Sequence, residues 1–247
     1  MTDAVCALQV LLALAIAPAP TAGSRYAQAR HWLLNWHLDP SYLDSCTAAL
    51  APSPRSGTEK EERLELRARL MMVRADREAD PKSKAVLYLA ARAAADSLRA
   101  LNECNPSGHV WWAAAQGRVL ELRGPAAAAR GAASLRRENE RALALDPDCA
   151  LARFALGRIY EELPGLLGGG IRKAEACYRR GVGSDPNYTI IRLALARALL
   201  RQGRRDEARG QLELLLAVTA PTNPAEAALD DRPAAEALLD SLDGDRE

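Results

Sequence analysis

Residues 150–186 read ALARFALGRIYEELPGLLGGGIRKAEACYRRGVGSDP, and residues 189–221 read TIIRLALARALLRQGRRDEARGQLELLLAVTAP. Both stretches carry one pattern. Counted from Ala150, the residues Leu156, Gly157 and Tyr160 fall at positions 7, 8 and 11. Counted back from Pro186 at position 32, Ala174, Tyr178 and Gly181 fall at 20, 24 and 27. Counted from Thr189, the residues Leu195, Ala196, Leu199, Ala208, Leu212 and Leu215 fill the same six places with no insertion. Spacings of three, four and seven put one apolar stripe on each of two successive helices. The small residue at 8 and its counterpart at 20 let the paired helices approach closely, and the larger ones fill the groove between neighbours. In the first stretch Tyr160 and Ala174 are 14 residues apart instead of nine, so five extra residues lie within Leu163–Gly170.

Proline keeps the same rhythm. Pro106, Pro147, Pro186 and Pro221 are separated by 41, 39 and 35 residues and mark helix ends. A period of that size belongs to stacked helical hairpins, and the six filled places are those of the tetratricopeptide pattern. The expected fold is all-α, a right-handed superhelix of antiparallel hairpins. The clearest repeats are 109–147, 150–186 and 189–221, with hairpins Ala150–Leu163 with Ile171–Ser184 and Tyr188–Gln202 with Asp206–Val218. Earlier units fill fewer places: Ala94, Leu98 and Leu101 before Pro106, then Leu135 and Ala142 before Pro147, with a second insertion at Gly124–Gly131. Helix pairing extends to Arg63–Ala79 with Lys82–Glu103 and to Tyr26–His37 with Tyr42–Leu50, with Pro52–Gly57 as a loop between them.

Composition agrees with this reading. Of 247 residues 49% are hydrophobic and only 4% aromatic, while the helix formers Ala, Leu, Arg and Glu dominate. A β-rich or dinucleotide-binding enzyme is disfavoured. Lys+Arg 33 against Asp+Glu 32 leaves a formal charge of +1, which gives no electrostatic footprint for nucleic acid.

Residues Ala7–Ala17 form an apolar run of 11, followed by Pro18-Ala19-Pro20-Thr21-Ala22-Gly23. That is too short to span a bilayer and fits the apolar centre of a secretory signal, with cleavage expected before Ser24, although no basic residue precedes it. Residues 1–23 are therefore read as a signal peptide, residues 24–247 as one helical-repeat domain, and the location as periplasmic or secreted. The mature chain would hold Cys46, Cys104, Cys149 and Cys177, which allow three pairings and form no C-x-x-C. Isolated helical cysteines are usually small core residues. If a bridge forms, Cys104–Cys149 is the least disfavoured, since both flank proline-containing helix ends.

Trp111-Trp112-Ala113-Ala114-Ala115, the run Gly157-Arg158-Ile159-Tyr160-Glu161-Glu162-Leu163-Pro164-Gly165, Gly169-Gly170 and Asp185-Pro186-Asn187 together carry a resemblance. Across about Ala85–Val218 the chain resembles the T-component family of TRAP transporters. That resemblance implies a periplasmic tetratricopeptide protein, often lipid-anchored, whose partner could be the solute-binding protein of a carboxylate transporter. Cys6 precedes the apolar run, so no lipobox cysteine is present.

No catalytic pattern emerges. His31 and His37 are six apart and fall on different helix faces, and no G-x-S-x-G or kinase signature occurs. Gly165–Gly170 has no preceding strand and no following G-K-[ST], so it reads as an inter-helix insertion and not a phosphate loop. Neither enzymatic activity, nor a cofactor, nor a metal is expected. Binding falls instead to the first helix of each hairpin. Positions near 2, 5, 9 and 12 give Leu151, Phe154, Arg158 and Glu161, then Ile190, Leu193, Arg197 and Leu200. The unit beginning at His109 adds Val110, Ala113, Gly117 and Leu120, with one of Trp111 and Trp112 turned toward the groove. The expected surface is an apolar groove with two arginines, suited to a protein segment or an apolar carboxylate ligand. The alternative is an assembly adaptor, periplasmic or cytosolic, with no small-molecule ligand.

Overall fold

The computed structural model describes residues 25–54 and 56–244. The proposed signal segment and its cleavage point lie outside them. Eleven helices of eight residues or more follow one another among the described residues, with no strand. They are α1 (Arg25–Leu34), α2 (Tyr42–Leu50), α3 (Gly57–Arg77), α4 (Pro81–Leu101), α5 (Pro106–Leu122) and α6 (Pro125–Leu145). Then come α7 (Ala150–Glu162), α8 (Ile171–Ser184), α9 (Thr189–Leu200), α10 (Arg205–Leu216) and α11 (Arg232–Gly244). A helical turn, Pro224–Glu226, and a π-helical segment, Ala227–Asp231, lead into α11. The chain divides into two compact units, the first holding α1 to α6 and the second α7 to α11.

Local chemistry explains the boundaries. Ser56 Oγ accepts from the Glu59 amide at 3.1 Å and starts α3. Asp80 caps α4 by accepting from Ser83 N at 2.9 Å, with Pro81 in the first turn. Asn105 accepts from Ser107 N at 3.0 Å, so Pro106 opens α5 instead of closing the helix before it. The insertion expected at Gly124–Gly131 is not a loop. Gly124 makes the turn at φ +94°, Pro125 fits the first helical position, and the alanines that follow extend α6 to 21 residues.

In the first unit α1 pairs with α2, α3 with α4 and α5 with α6, and α4 also packs on α5. Leu98, which takes place 24 before Pro106, is buried, whereas Leu101 at place 27 is 38% exposed. Place 24 before Pro147 is filled by Asn139, 1% exposed, whose Nδ2 donates to the Leu135 carbonyl at 2.8 Å. A buried amide thus stands at this repeat place, its Nδ2 bonded within its own helix and its Oδ1 with no hydrogen-bond partner.

In the second unit α7 pairs with α8 and α9 with α10, and α8 packs on α9. Of the twelve pattern residues in these hairpins eleven are buried, and Tyr160 is half-buried against the same core. At the close contact of α7 with α8, a Cβ on Gly157 would stand 2.2 Å from Tyr178 Cε1, so glycine alone fits. α9 is further covered by the π-helical segment and α11, and eight of its twelve residues are buried.

Cys46, Cys149 and Cys177 take part in no disulfide, so the Cys104–Cys149 bridge does not form.

Candidate binding surface

In the second unit the proposed groove residues separate by burial. Leu151, Phe154, Ile190 and Leu200 are half-buried, resting on the core with part of each side chain open. The Phe154 ring lies 6.2 Å from that of Tyr178 at an interplanar angle of 37°. Leu193, 3% exposed, belongs to the core and does not line an open wall, because the π-helical segment and α11 pack on α9.

Arg158 and Arg197 are both exposed. Arg158 pairs with Glu162 one turn further along α7, not with Glu161, its Nε reaching Oε1 at 3.0 Å. Glu161 is held elsewhere, accepting from the Tyr178 hydroxyl at 2.8 Å and from Arg201 at 2.8 Å. It therefore ties α7 to α8 and to the end of α9, and its carboxylate is occupied. Arg197 acts electrostatically on Asp231, which is 1% exposed. Asp231 Oδ2 accepts from Thr189 Oγ1 at 2.6 Å, linking the π-helical segment to the start of α9, while Oδ1 has no hydrogen-bond partner. Burial pushes this carboxyl up to about 6 against the lowering effect of the Thr189 bond.

The first unit holds the remaining residues. Val110, 2% exposed, and Ala113, 3%, are core, as is Leu120. Trp111 and Trp112 are both half-buried, and each carries a guanidinium over its ring: Arg69 at 5.4 Å from the Trp111 centroid and Arg99 at 5.0 Å from that of Trp112. Arg99 also reaches Glu138 at 3.1 Å. Glu138 in turn lies 2.7 Å from His109 Nδ1, and His109 Nε2 lies 2.8 Å from the Glu103 carbonyl. This chain of contacts joins α4, α5 and α6 and was not visible from spacing, because its members lie 29 and 39 residues apart.

The glycine-rich insertion is a closed structure. The amides of Gly168, Gly169 and Gly170 donate to the carbonyls of Gly165, Pro164 and Tyr160 at 3.0, 3.2 and 2.7 Å. Those amides are consumed within the turn, which leaves them unable to cradle a phosphate. Gly168 takes φ +87°, and a Cβ on Gly169 would stand 1.8 Å from the Leu163 carbonyl oxygen. Among the described residues no group of three or more His, Cys, Asp or Glu could hold a metal ion, and no helix is long and apolar enough to cross a membrane.

Residues 169–229 match the tetratricopeptide repeat family. Among solved structures the chain is similar to TTC0263, a thermophilic TPR protein of Thermus thermophilus. The TM-score is 0.62 at 21% identity, over 87% of this chain and 99% of that one. It is also similar to MamA, with a TM-score of 0.43 at 17% identity over 74% of this chain and 92% of that one. No curated protein sequence matches the chain. The chain carries the tetratricopeptide-repeat fold, and its repeat is matched in sequence across α8, α9 and α10.

Proposed function

We propose that the protein is a non-enzymatic scaffold that binds a protein segment along the first helices of its C-terminal hairpins. Tetratricopeptide hairpins serve protein–protein contact, and stacked repeats offer extended surfaces for it. One observation carries the assignment of surface. Arg158 and Arg197 are exposed at equivalent positions of α7 and α9, beside the half-buried Leu151, Phe154, Ile190 and Leu200. Arg158's ion pair with Glu162 is a solvent-exposed pair within one helix, worth well under about 1 kcal/mol, so it yields readily to a partner's carboxylate. Arg197 stands near Asp231 but remains open to solvent.

The finer reading is an exported protein assisting a TRAP-type carboxylate transporter, its partner a solute-binding protein. It rests on the resemblance over Ala85–Val218 and on the apolar run Ala7–Ala17. Capture from a periplasmic extract, followed by mass spectrometry, tests the partner, and N-terminal sequencing of the exported fraction tests processing at Ser24. With the partner in hand, Arg158→Ala and Arg197→Ala should each weaken binding by about 1.5–3 kcal/mol, the worth of a hydrogen bond to a charged group. Helical content should stay unchanged. Parental binding by both variants overturns the arginine surface, and an intact Met1 or Thr2 in the cytosol overturns export.

A further inference from the structure

The turn between α7 and α8 displays apolar surface for which the repeat has no use. Leu166 is 102% exposed and Leu167 56%. Slack chain does not explain this, because the backbone around them is fixed. Leu167 N donates to the Pro164 carbonyl at 2.9 Å, and Gly170 N returns to Tyr160 on α7 at 2.7 Å. The two leucines are held outward by a turn too tight at Gly169 to accept a side chain.

Cations surround this tip. Lys173 Nζ donates to the Gly168 carbonyl at 2.9 Å, which keeps its charge at the loop. Arg172 is exposed and has no ion-pair or hydrogen-bond partner among the described residues. The turn between α9 and α10 brings Arg201, Arg204 and Arg205, and the 2.8 Å contact of Arg201 with Glu161 sets it beside the end of α7. Residues 163–173 and 201–205 hold these five cations and no carboxylate. The acids at their margins are engaged: Glu161 with Arg201, Glu162 with Arg158, Glu175 and Glu207 with Arg179 and Arg204, while Asp206, next to Arg205, acts electrostatically on Arg209.

We propose that this end of the second unit docks on an anionic lipid bilayer, with Leu166 and Leu167 entering the acyl boundary and Arg172 and Lys173 meeting headgroup phosphates. Size decides for a bilayer over a protein. A stable protein interface takes about 800 Å² from each partner, far more than two side chains on one turn supply. A bilayer asks for no complementary shape, and shallow apolar insertion adds to the attraction of basic residues for anionic lipid.

The test is co-sedimentation of the full chain with phosphatidylcholine vesicles and with vesicles containing a third phosphatidylglycerol. Binding is expected to the anionic vesicles and to fall with added salt. Leu166→Glu/Leu167→Glu, made in the same full chain so that residues 7–17 are kept, should lower the partition coefficient tenfold or more. Arg172→Glu/Lys173→Glu should lower it by a similar factor on anionic vesicles alone. Unchanged melting curves would show that both variants fold. As an independent readout, Leu166→Trp should add emission that brominated lipid quenches. The proposal is overturned if the parent ignores both vesicle types, if the leucine variant binds as the parent does, or if binding ignores lipid charge. It is also overturned if the leucine variant loses a captured protein while vesicles remain unbound, which would assign the tip to that protein.

Discussion

Tyr178 lies so close across Gly157 that a Cβ added to the glycine would meet Cε1 at 2.2 Å and Cδ1 at 2.6 Å. The ring is fully buried, and its hydroxyl donates to Glu161 at 2.8 Å, so it cannot swing aside without giving up that bond. Gly157→Ala should therefore destabilise the chain by about 1–3 kcal/mol through overpacking. Chemical denaturation measures this. In a Tyr178→Leu background the same substitution should cost clearly less, since the pair shares one contact.

Asp231 should make stability fall as pH rises. Its carboxyl is raised from the ordinary 3.8 to about 6 in the fold, chiefly by burial. Between those values the folded state holds a proton that the unfolded state has released. Stability is thus greater toward pH 4 and declines as pH rises through about 6, by up to about 3 kcal/mol for a shift of this size. Asp231→Asn should flatten that slope in melting midpoints taken from pH 4 to 8. An unchanged slope would remove Asp231 as its source.

Glu175 works in the opposite direction. Burial alone would raise its pKa, but bonds from Gln202, Arg179 and Arg204 outweigh that and lower it to about 2 from 4.5. Its contribution is present above pH 4.5 and is lost as pH falls toward 2. The Gln202 and Arg204 bonds join α8 to the turn before α10, while the Arg179 bond lies within α8, so Glu175→Gln should cost about 1–2 kcal/mol at pH 7. The gap between parent and variant should narrow steadily in melts taken from pH 4.5 down toward pH 2.

Thiol reactivity should rank with burial. Cys46 is 0% exposed, and burial pushes its thiol up to about 11 despite Arg74 and Arg69 nearby. Cys149 is partly exposed. In the native protein an aromatic disulfide reagent should label Cys149 well before Cys46, which should react only on unfolding. Labelling at equal rates would contradict the packing of α2.

Much of the second unit was legible because its repeat states its own contacts. The expected ends of α7, α8, α9 and α10 lie within two residues of those observed. Where a residue's neighbour came from outside the repeat, spacing failed. The pattern sets Leu193 on an open face, yet the π-helical segment and α11 cover it, and nothing in residues 189–221 announces them. Glu162 outcompetes Glu161 for Arg158 because i,i+4 geometry suits an ion pair, while Tyr178 and Arg201 already claim Glu161. Asn139 hides one repeat place by filling it with an amide. The run Ala126–Ala129 has high helix propensity, and the insertion bounded by Gly124 and Gly131 is taken up as added helix, with Gly131 inside α6 against Leu120.

The way the insertion closes on itself makes it a splice point. Gly170 N is bonded back to Tyr160 O at 2.7 Å, so the two ends of residues 160–170 are clamped together by the turn's base and not by its tip. Chain length added between Leu166 and Leu167 would leave the start of α8 where it is, and lengthening a flexible loop carries only a slowly growing entropic penalty. A peptide epitope grafted there should be displayed on a rigid stalk, with the register of every later helix preserved.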